Sequence, residues 1–129
     1  MLYQRTLNVP ANTPETESVP TTLKLCAGVS TRREIVFNDG CHGLVHVRVN
    51  HSGWQLMPWS RDEWLTADGE TVVDDSPYPL DETVNTLTLV AYNEDTVNDH
   101  QVQLRVTMHE GKADDLVNLS KLMDALRGY

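Results

Sequence analysis

The chain has 129 residues, with 10 basic and 19 acidic side chains and a formal net charge of −9 when the histidines are neutral. A chain of this length forms one domain and can bury a hydrophobic core without a metal or disulfide to hold it together. Its acidic balance argues against binding to nucleic acid or to anionic membranes, because both require clustered Lys and Arg side chains.

The N-terminal end predicts a strand within Leu2–Val9, followed by an extended arm at Ala11–Pro20. The arm contains Pro14 and Pro20, and we expect these prolines to contact a neighbouring molecule. The first ten residues lack the apolar run of a signal peptide, so we expect a protein made in a cytoplasm.

Alternation of apolar and polar residues dominates residues 21–110 and predicts an all-β domain, an antiparallel β-sandwich or barrel. In Leu44–Asn50, for example, every second residue is valine. The predicted strands are Thr22–Ala27, Arg33–Phe37, Leu44–Asn50, Gly53–Trp59, Glu70–Val73, Val84–Asn93 and Gln101–His109. Turns are predicted at Asn38–Gly40 and Asp68–Gly69, and the two prolines of Ser76–Pro79 exclude that segment from a central strand.

The last segment, residues 111–129, is predicted to form one amphipathic α-helix. Its apolar stripe consists of Leu116, Leu119, Met123 and Leu126, at spacings of three, four and three residues. The stripe could pack on the chain's own sandwich or on a neighbouring subunit, and the pattern alone leaves both open. The predicted organisation is therefore a strand and arm at 1–20, a sandwich at 21–110 and a helix at 111–129, within one globular domain.

No motif predicts catalytic residues, metal ligands or a cofactor, and we therefore expect a protein that is not an enzyme. His42 and His46 would lie ~13 Å apart on a strand, too far to share one metal ion. The segment Asp95–Asp99 could bind calcium but lacks EF-hand spacing, so we expect a solvated loop with His100 hydrogen-bonded to it. Cys26 and Cys41 are expected to be free thiols, because nothing indicates secretion.

Three tryptophans within eleven residues, Trp54, Trp59 and Trp64, are the most unusual local feature. Exposed aromatic side chains bind sugars and anchor protein interfaces, because a rigid ring buries a large area with little loss of entropy. Trp54 and Trp59 are separated by an odd number of residues and would point to opposite sides of a regular strand. A single flat platform is therefore not expected.

The order of strands and corners resembles small jelly-roll decoration or cement proteins of tailed-bacteriophage capsids. The similarity covers residues 21–109 and is carried by four segments: Ile35–Val49, the Gln-x-x-Pro at Gln55–Pro58, Leu87–Asp95 and the His-led strand His100–Val106. The resemblance implies an antiparallel β-sandwich of jelly-roll-like type. It also implies a non-enzymatic virion protein that binds the major capsid protein on the outer shell and itself, often as a trimer. The terminal helix has no counterpart in that pattern.

Two other functions remain open at this point. The tryptophans favour a carbohydrate- or receptor-binding β-sandwich, and the β-rich pattern also suits a cupin-like metalloenzyme, although the segment around His42–His51 lacks the His-x-His pair of that family.

Overall fold

The computed structural model describes residues 1–110, and within them the fold is all-β. The strands are β1 (Leu2–Val9), β2 (Val19–Phe37), β3 (Val45–His51), β4 (Trp54–Met57), β5 (Thr71–Asp74), β6 (Tyr78–Asn93) and β7 (His100–Glu110). A single turn of 3-10 helix lies at Glu15–Glu17. No helix among these residues is both long and apolar enough to cross a membrane.

All the strand pairs are antiparallel. The strands form one sheet in the order β1-β7-β2-β6-β3-β4, and β5 pairs with β2 beside this path. Antiparallel neighbours need only short connections, which agrees with the turn residues found between the strands.

The long strand β2 changes partners along its length. Val19–Cys26 pairs with β6, whereas Arg33–Val36 lies between β7 on one edge and β5 on the other. The pairing with β6 shifts by two residues near Ala27, the pairing with β7 shifts by one residue near Thr31, and such bulges bend a strand. The bent strand β2 therefore joins the part of the sheet that contains β6 to the part that contains β7 and β5.

The core consists of the inward-facing residues of six strands, which meet in a single cluster. Every second residue is buried from Val45 to Val49 in β3, and the same holds from Asn85 to Ala91 in β6 and from His100 to Met108 in β7. Leu89 is fully buried, opposite Thr21 of β2 on one side and Val49 of β3 on the other. A folded sheet with one shared core is a sandwich-like arrangement, as the alternation predicts.

The structure corrects two details of the predicted strands. The segments expected at Thr22–Ala27 and Arg33–Phe37 belong to the single strand β2, because Gly28–Ser30 between them also pairs with β6 and β7. Strand β6 begins at Tyr78, inside the predicted connector. Pro79 is accommodated there because its only strand neighbour in the described residues is Val29 of β2, and proline is tolerated at a free edge.

The predicted arm, Ala11–Pro20, contacts the chain's own sheet. Thr13 exchanges two backbone hydrogen bonds of 3.0 Å with Asn93 of β6, and the Asn12 N–H donates to the Asp95 carbonyl at 2.7 Å. Pro14 and Pro20 are exposed, and Pro20 already belongs to β2. The arm is therefore fixed at its centre and exposed at its prolines.

Two further predictions have different outcomes. Cys26 and Cys41 are free thiols, as expected. The helix predicted at 111–129, with its stripe Leu116, Leu119, Met123 and Leu126, lies outside the described residues.

Replacing a central core residue tests this arrangement of strands. We expect Leu89→Ala to lower the free energy of unfolding by about 2–5 kcal/mol, because it removes buried methyl groups and leaves a cavity. Val84→Ala is the matched control in the same strand, since Val84 is 61% exposed and its change should stay within about 0.5 kcal/mol. Urea unfolding measures both, and equal losses would contradict the assigned core.

Candidate binding surface

The hairpin of β3 and β4 forms one end of the sheet, because β4 is the last strand in its order. Ser52 and Gly53 connect the strands, and both have positive φ, 47° and 85°. This geometry is typical of tight two-residue hairpin turns. Strand β4 ends at Met57, and a cis Met57–Pro58 bond then leads into a loop at 58–63.

The side chain of Gln55 holds that loop against β4. The two N–H groups of its amide donate to three backbone carbonyls, those of Pro58 (2.8 Å), Ser60 (2.9 Å) and Glu63 (3.0 Å), so that one hydrogen is shared between two of them. Its carbonyl oxygen accepts the backbone N–H of Asp62 at 3.2 Å. One side chain thus supplies hydrogen bonds to polar backbone groups across the whole loop, which would otherwise require water or a different fold.

Trp54, Trp59 and Arg61 line a cleft of about 120 Å³ together with Gln55. We call these three residues the Trp surface. Trp54 is 64% exposed and Trp59 is 74% exposed, and the Arg61 guanidinium carbon lies 5.9 Å from the centre of the Trp54 ring. Two large aromatic side chains exposed at one cleft form an apolar patch, and such patches are typical of contact surfaces.

The structure therefore corrects the expectation that Trp54 and Trp59 point to opposite sides. That expectation assumed a regular strand through residue 59, but β4 ends at Met57 and the alternation of a strand ends with it. The turn after the cis peptide brings Trp59 back to the cleft that Trp54 lines.

Trp64 lies elsewhere and is half-buried. Its ring meets Tyr92 edge-on, with centres 4.7 Å apart, and the Arg48 guanidinium lies 4.2 Å above it. Tyr92 in turn stacks on His46 at 4.3 Å. Burial raises the pKa of Tyr92, and the nearby carboxylates of Glu15 and Glu94 raise it further. This layer covers the outer side of β3 and β6, which gives Trp64 a packing role.

The histidines and carboxylates considered as metal ligands lie in separate pairs. His42 contacts Asp68 at 3.2 Å, and His46 contacts Glu94 at 2.7 Å. Within residues 1–110 there is no group of three or more His, Cys, Asp or Glu side chains that could hold a metal ion.

The loop at 93–99 is organised by its own side chains. Asp95 accepts the backbone N–H groups of Val97 (2.9 Å) and Asn98 (3.1 Å), and lies 2.8 Å from His100 Nε2. Hydrogen bonds from Val97, then His100 and Asn98, hold the pKa of Asp95 well below its usual range despite the opposing effect of burial. The predicted contact of His100 with this loop is confirmed.

A buried arginine is a feature that the sequence did not single out. Arg33 is 1% exposed, and its guanidinium donates to Ser30 Oγ (2.9 Å) and the Ser76 carbonyl (2.7 Å), and lies 3.3 Å from Asp74. Burial acts to raise the pKa of Asp74, but hydrogen bonds from Ser76 and the charge of Arg33 outweigh it and lower the pKa. The cluster connects β2 to the segment that follows β5, and the alternating pattern offers no signal for it.

Gln55 and Arg61 are the other residues that sequence reasoning missed at this end of the sheet. The Gln-x-x-Pro segment was noted only as part of a resemblance, and Arg61 stands between tryptophans without a recognised motif. Their positions depend on the turn at Pro58, which no periodic pattern predicts.

No protein-family model matches the chain, and no curated protein matches it. Among solved structures, the chain is similar to the crystal structure of FlhE, with 13% sequence identity over 85% of this chain and 97% of that chain and a TM-score of 0.42. A likeness at this level carries no argument about function.

The hydrogen bonds of Asp95 predict a dependence of stability on pH. Because the folded pKa lies below the unfolded one, the carboxylate stabilises the fold above about pH 4, and this contribution declines as the pH falls further. We expect Asp95→Asn to be less stable than the parent chain at pH 7, with a difference that shrinks in acid. Urea unfolding at a series of pH values measures this.

Asp81→Asn is the control for this prediction, because Asp81 is exposed and no described residue hydrogen-bonds its side chain. A difference between Asp95→Asn and the parent chain that stays constant between pH 7 and the acid limit would contradict the account.

Proposed function

We propose that the protein is a non-enzymatic structural protein of a virion exterior, a jelly-roll-like decoration protein that binds the outer shell and stabilises it. The observation that carries the proposal is the Trp surface, where Trp54 is exposed on β4 and Trp59 is exposed on the loop that Gln55 fixes. The resemblance of residues 21–109 to capsid decoration proteins indicates the major capsid protein as partner.

The energetics of contact surfaces support this role for the two tryptophans. A few large aromatic or arginine side chains supply most of the free energy of an interface, and they do so best when they are already held in place. Arg61 adds a charged group beside Trp54. The net charge of −9 agrees with a protein whose partner is another protein rather than packaged nucleic acid.

Self-association belongs to the same proposal. The arm is hydrogen-bonded to its own sheet at Thr13, and its exposed residues Pro14 and Pro20 are the proposed contacts with a neighbouring subunit of a trimer. The apolar stripe predicted from the sequence at Leu116, Leu119, Met123 and Leu126 is proposed to contact another subunit or the capsid.

A carbohydrate- or receptor-binding module is the second candidate function. The specific observation that favours it is the cleft that Trp54 and Trp59 line together, because two aromatic rings at one cleft can contact the same sugar.

Co-sedimentation with shells tests the proposed function. The chain is expressed with the major capsid protein of the same genome, and its occupancy on sedimented shells is compared with that of Trp54→Ala/Trp59→Ala. We expect about a tenfold or larger loss of affinity, because exposed aromatic anchors dominate an interface.

Val97→Ala is the matched control, because Val97 is also an exposed apolar residue, at 79%, but lies in the loop at 93–99. Its occupancy should equal that of the parent chain. Failure of the parent chain to bind shells, or full occupancy by the double tryptophan variant, would contradict the proposal.

A further inference from the structure

The cleft of the Trp surface has the size of a small-ligand subsite. Its volume of about 120 Å³ is well below the roughly 300–1,000 Å³ of pockets that enclose drug-sized molecules or cofactors. A cleft of this size accommodates one ring of a larger ligand and leaves the rest of that ligand outside.

The residues around the cleft combine apolar rings with hydrogen-bond donors. The two indoles offer electron-rich faces, which attract the weakly positive C–H groups of a sugar ring. The Arg61 guanidinium carries five N–H donors in a planar fork, and these match hydroxyl oxygens. Arg61 has no hydrogen bond or ion pair with another described residue, so its donors are available to a ligand.

From this combination we infer that the Trp surface is a subsite for a single pyranose ring of a glycan. The inference rests on the second candidate function, a carbohydrate-binding module, and it names the part of a glycan that the cleft would hold. The ring lies against Trp54 and Trp59, and Arg61 donates hydrogen bonds to its hydroxyl groups.

The charges around the cleft disfavour other small ligands. A quaternary or methylated ammonium group, which also prefers aromatic rings, would be repelled by Arg61 beside Trp54. A phosphate-rich ligand would meet a chain of net charge −9 with a single arginine at the cleft. A neutral sugar experiences neither repulsion.

The hydrogen bonds of Gln55 hold the cleft in one shape without a ligand. Weak binding of a single ring leaves little free energy for ordering a loop, so such a subsite must be formed before the ligand arrives. Gln55 fixes the loop at both ends, at Pro58 and at Glu63, and so sets the separation of Trp59 and Arg61 from Trp54.

Nuclear magnetic resonance of the indole N–H groups tests the inference on the full chain. The probes are the methyl glycosides of glucose, galactose, mannose and N-acetylglucosamine, with open-chain sorbitol as a polyol that has no ring face. We expect at least one glycoside to shift the Trp54 and Trp59 signals saturably in the millimolar range, whereas Trp64 and all sorbitol spectra stay unchanged.

Variants give the result a second readout. Trp59→Ala should lower the affinity for the glycoside about tenfold, because it removes one aromatic ring from the cleft. Val97→Ala should bind the glycoside as tightly as the parent chain does. The inference is overturned when none of the four glycosides shifts Trp54 and Trp59 saturably, or when Trp59→Ala binds as tightly as the parent chain.

The outcomes also separate this inference from the proposed function. Shell binding that depends on Trp54 and Trp59, without any response to glycosides, would retain the decoration function and remove the sugar subsite. A saturable response to a glycoside, without binding to shells, would retain the subsite and remove the decoration function.

Discussion

The bend in β2 is the constraint on which the rest of the structure depends. This one strand holds β6 along its first half and lies between β7 and β5 in its second half. Ile35 and Leu23 face the same core from the two halves, and the core closes only when the strand bends between them. The buried Arg33 lies in the second half, where its hydrogen bonds to Ser76 hold the chain that leads from β5 to β6.

The bend in β2 affects the position of the Trp surface through a series of hydrogen-bonded strands. Strand β6, placed by β2, pairs with β3, and β3 carries the short strand β4 at the end of the sheet. An end strand has one unpaired edge, and a short one is typical of natural sheets because it limits association through that edge. The chain then turns at Pro58 and exposes its aromatic side chains, while Gln55 supplies the hydrogen bonds that a strand partner would otherwise supply.

The sequence predicted those parts of the fold that depend on local alternation. Strands β3, β6 and β7 have clear apolar periodicity because one face of each lies on the core. The union of two predicted strands into β2 could not be predicted, because bulges interrupt the alternation and only distant partners show that pairing continues. The position of Pro79 in β6 could not be predicted for a related reason. A strand accepts proline where the residue lies at an edge, and which residues lie at an edge is decided by how the strands assemble.

The same distinction applies to the candidate site. Composition identified the tryptophans, and the polar loop predicted that His100 hydrogen-bonds within it, because both signals lie in a few neighbouring residues; the partner, Asp95, is seen only in the structure. The meeting of Trp54 and Trp59 depends on where β4 ends and on the hydrogen bonds of one glutamine, which are properties of the folded chain.

Gln55 holds the Trp surface in place before any partner binds, because its hydrogen bonds fix the loop at 58–63. Backbone order parameters of residues 58–63 test this in the parent chain and in Gln55→Ala. We expect values of about 0.85, as in rigid strands, for the parent chain and below about 0.6 for Gln55→Ala. Low values in the parent chain, or unchanged values in Gln55→Ala, would contradict it.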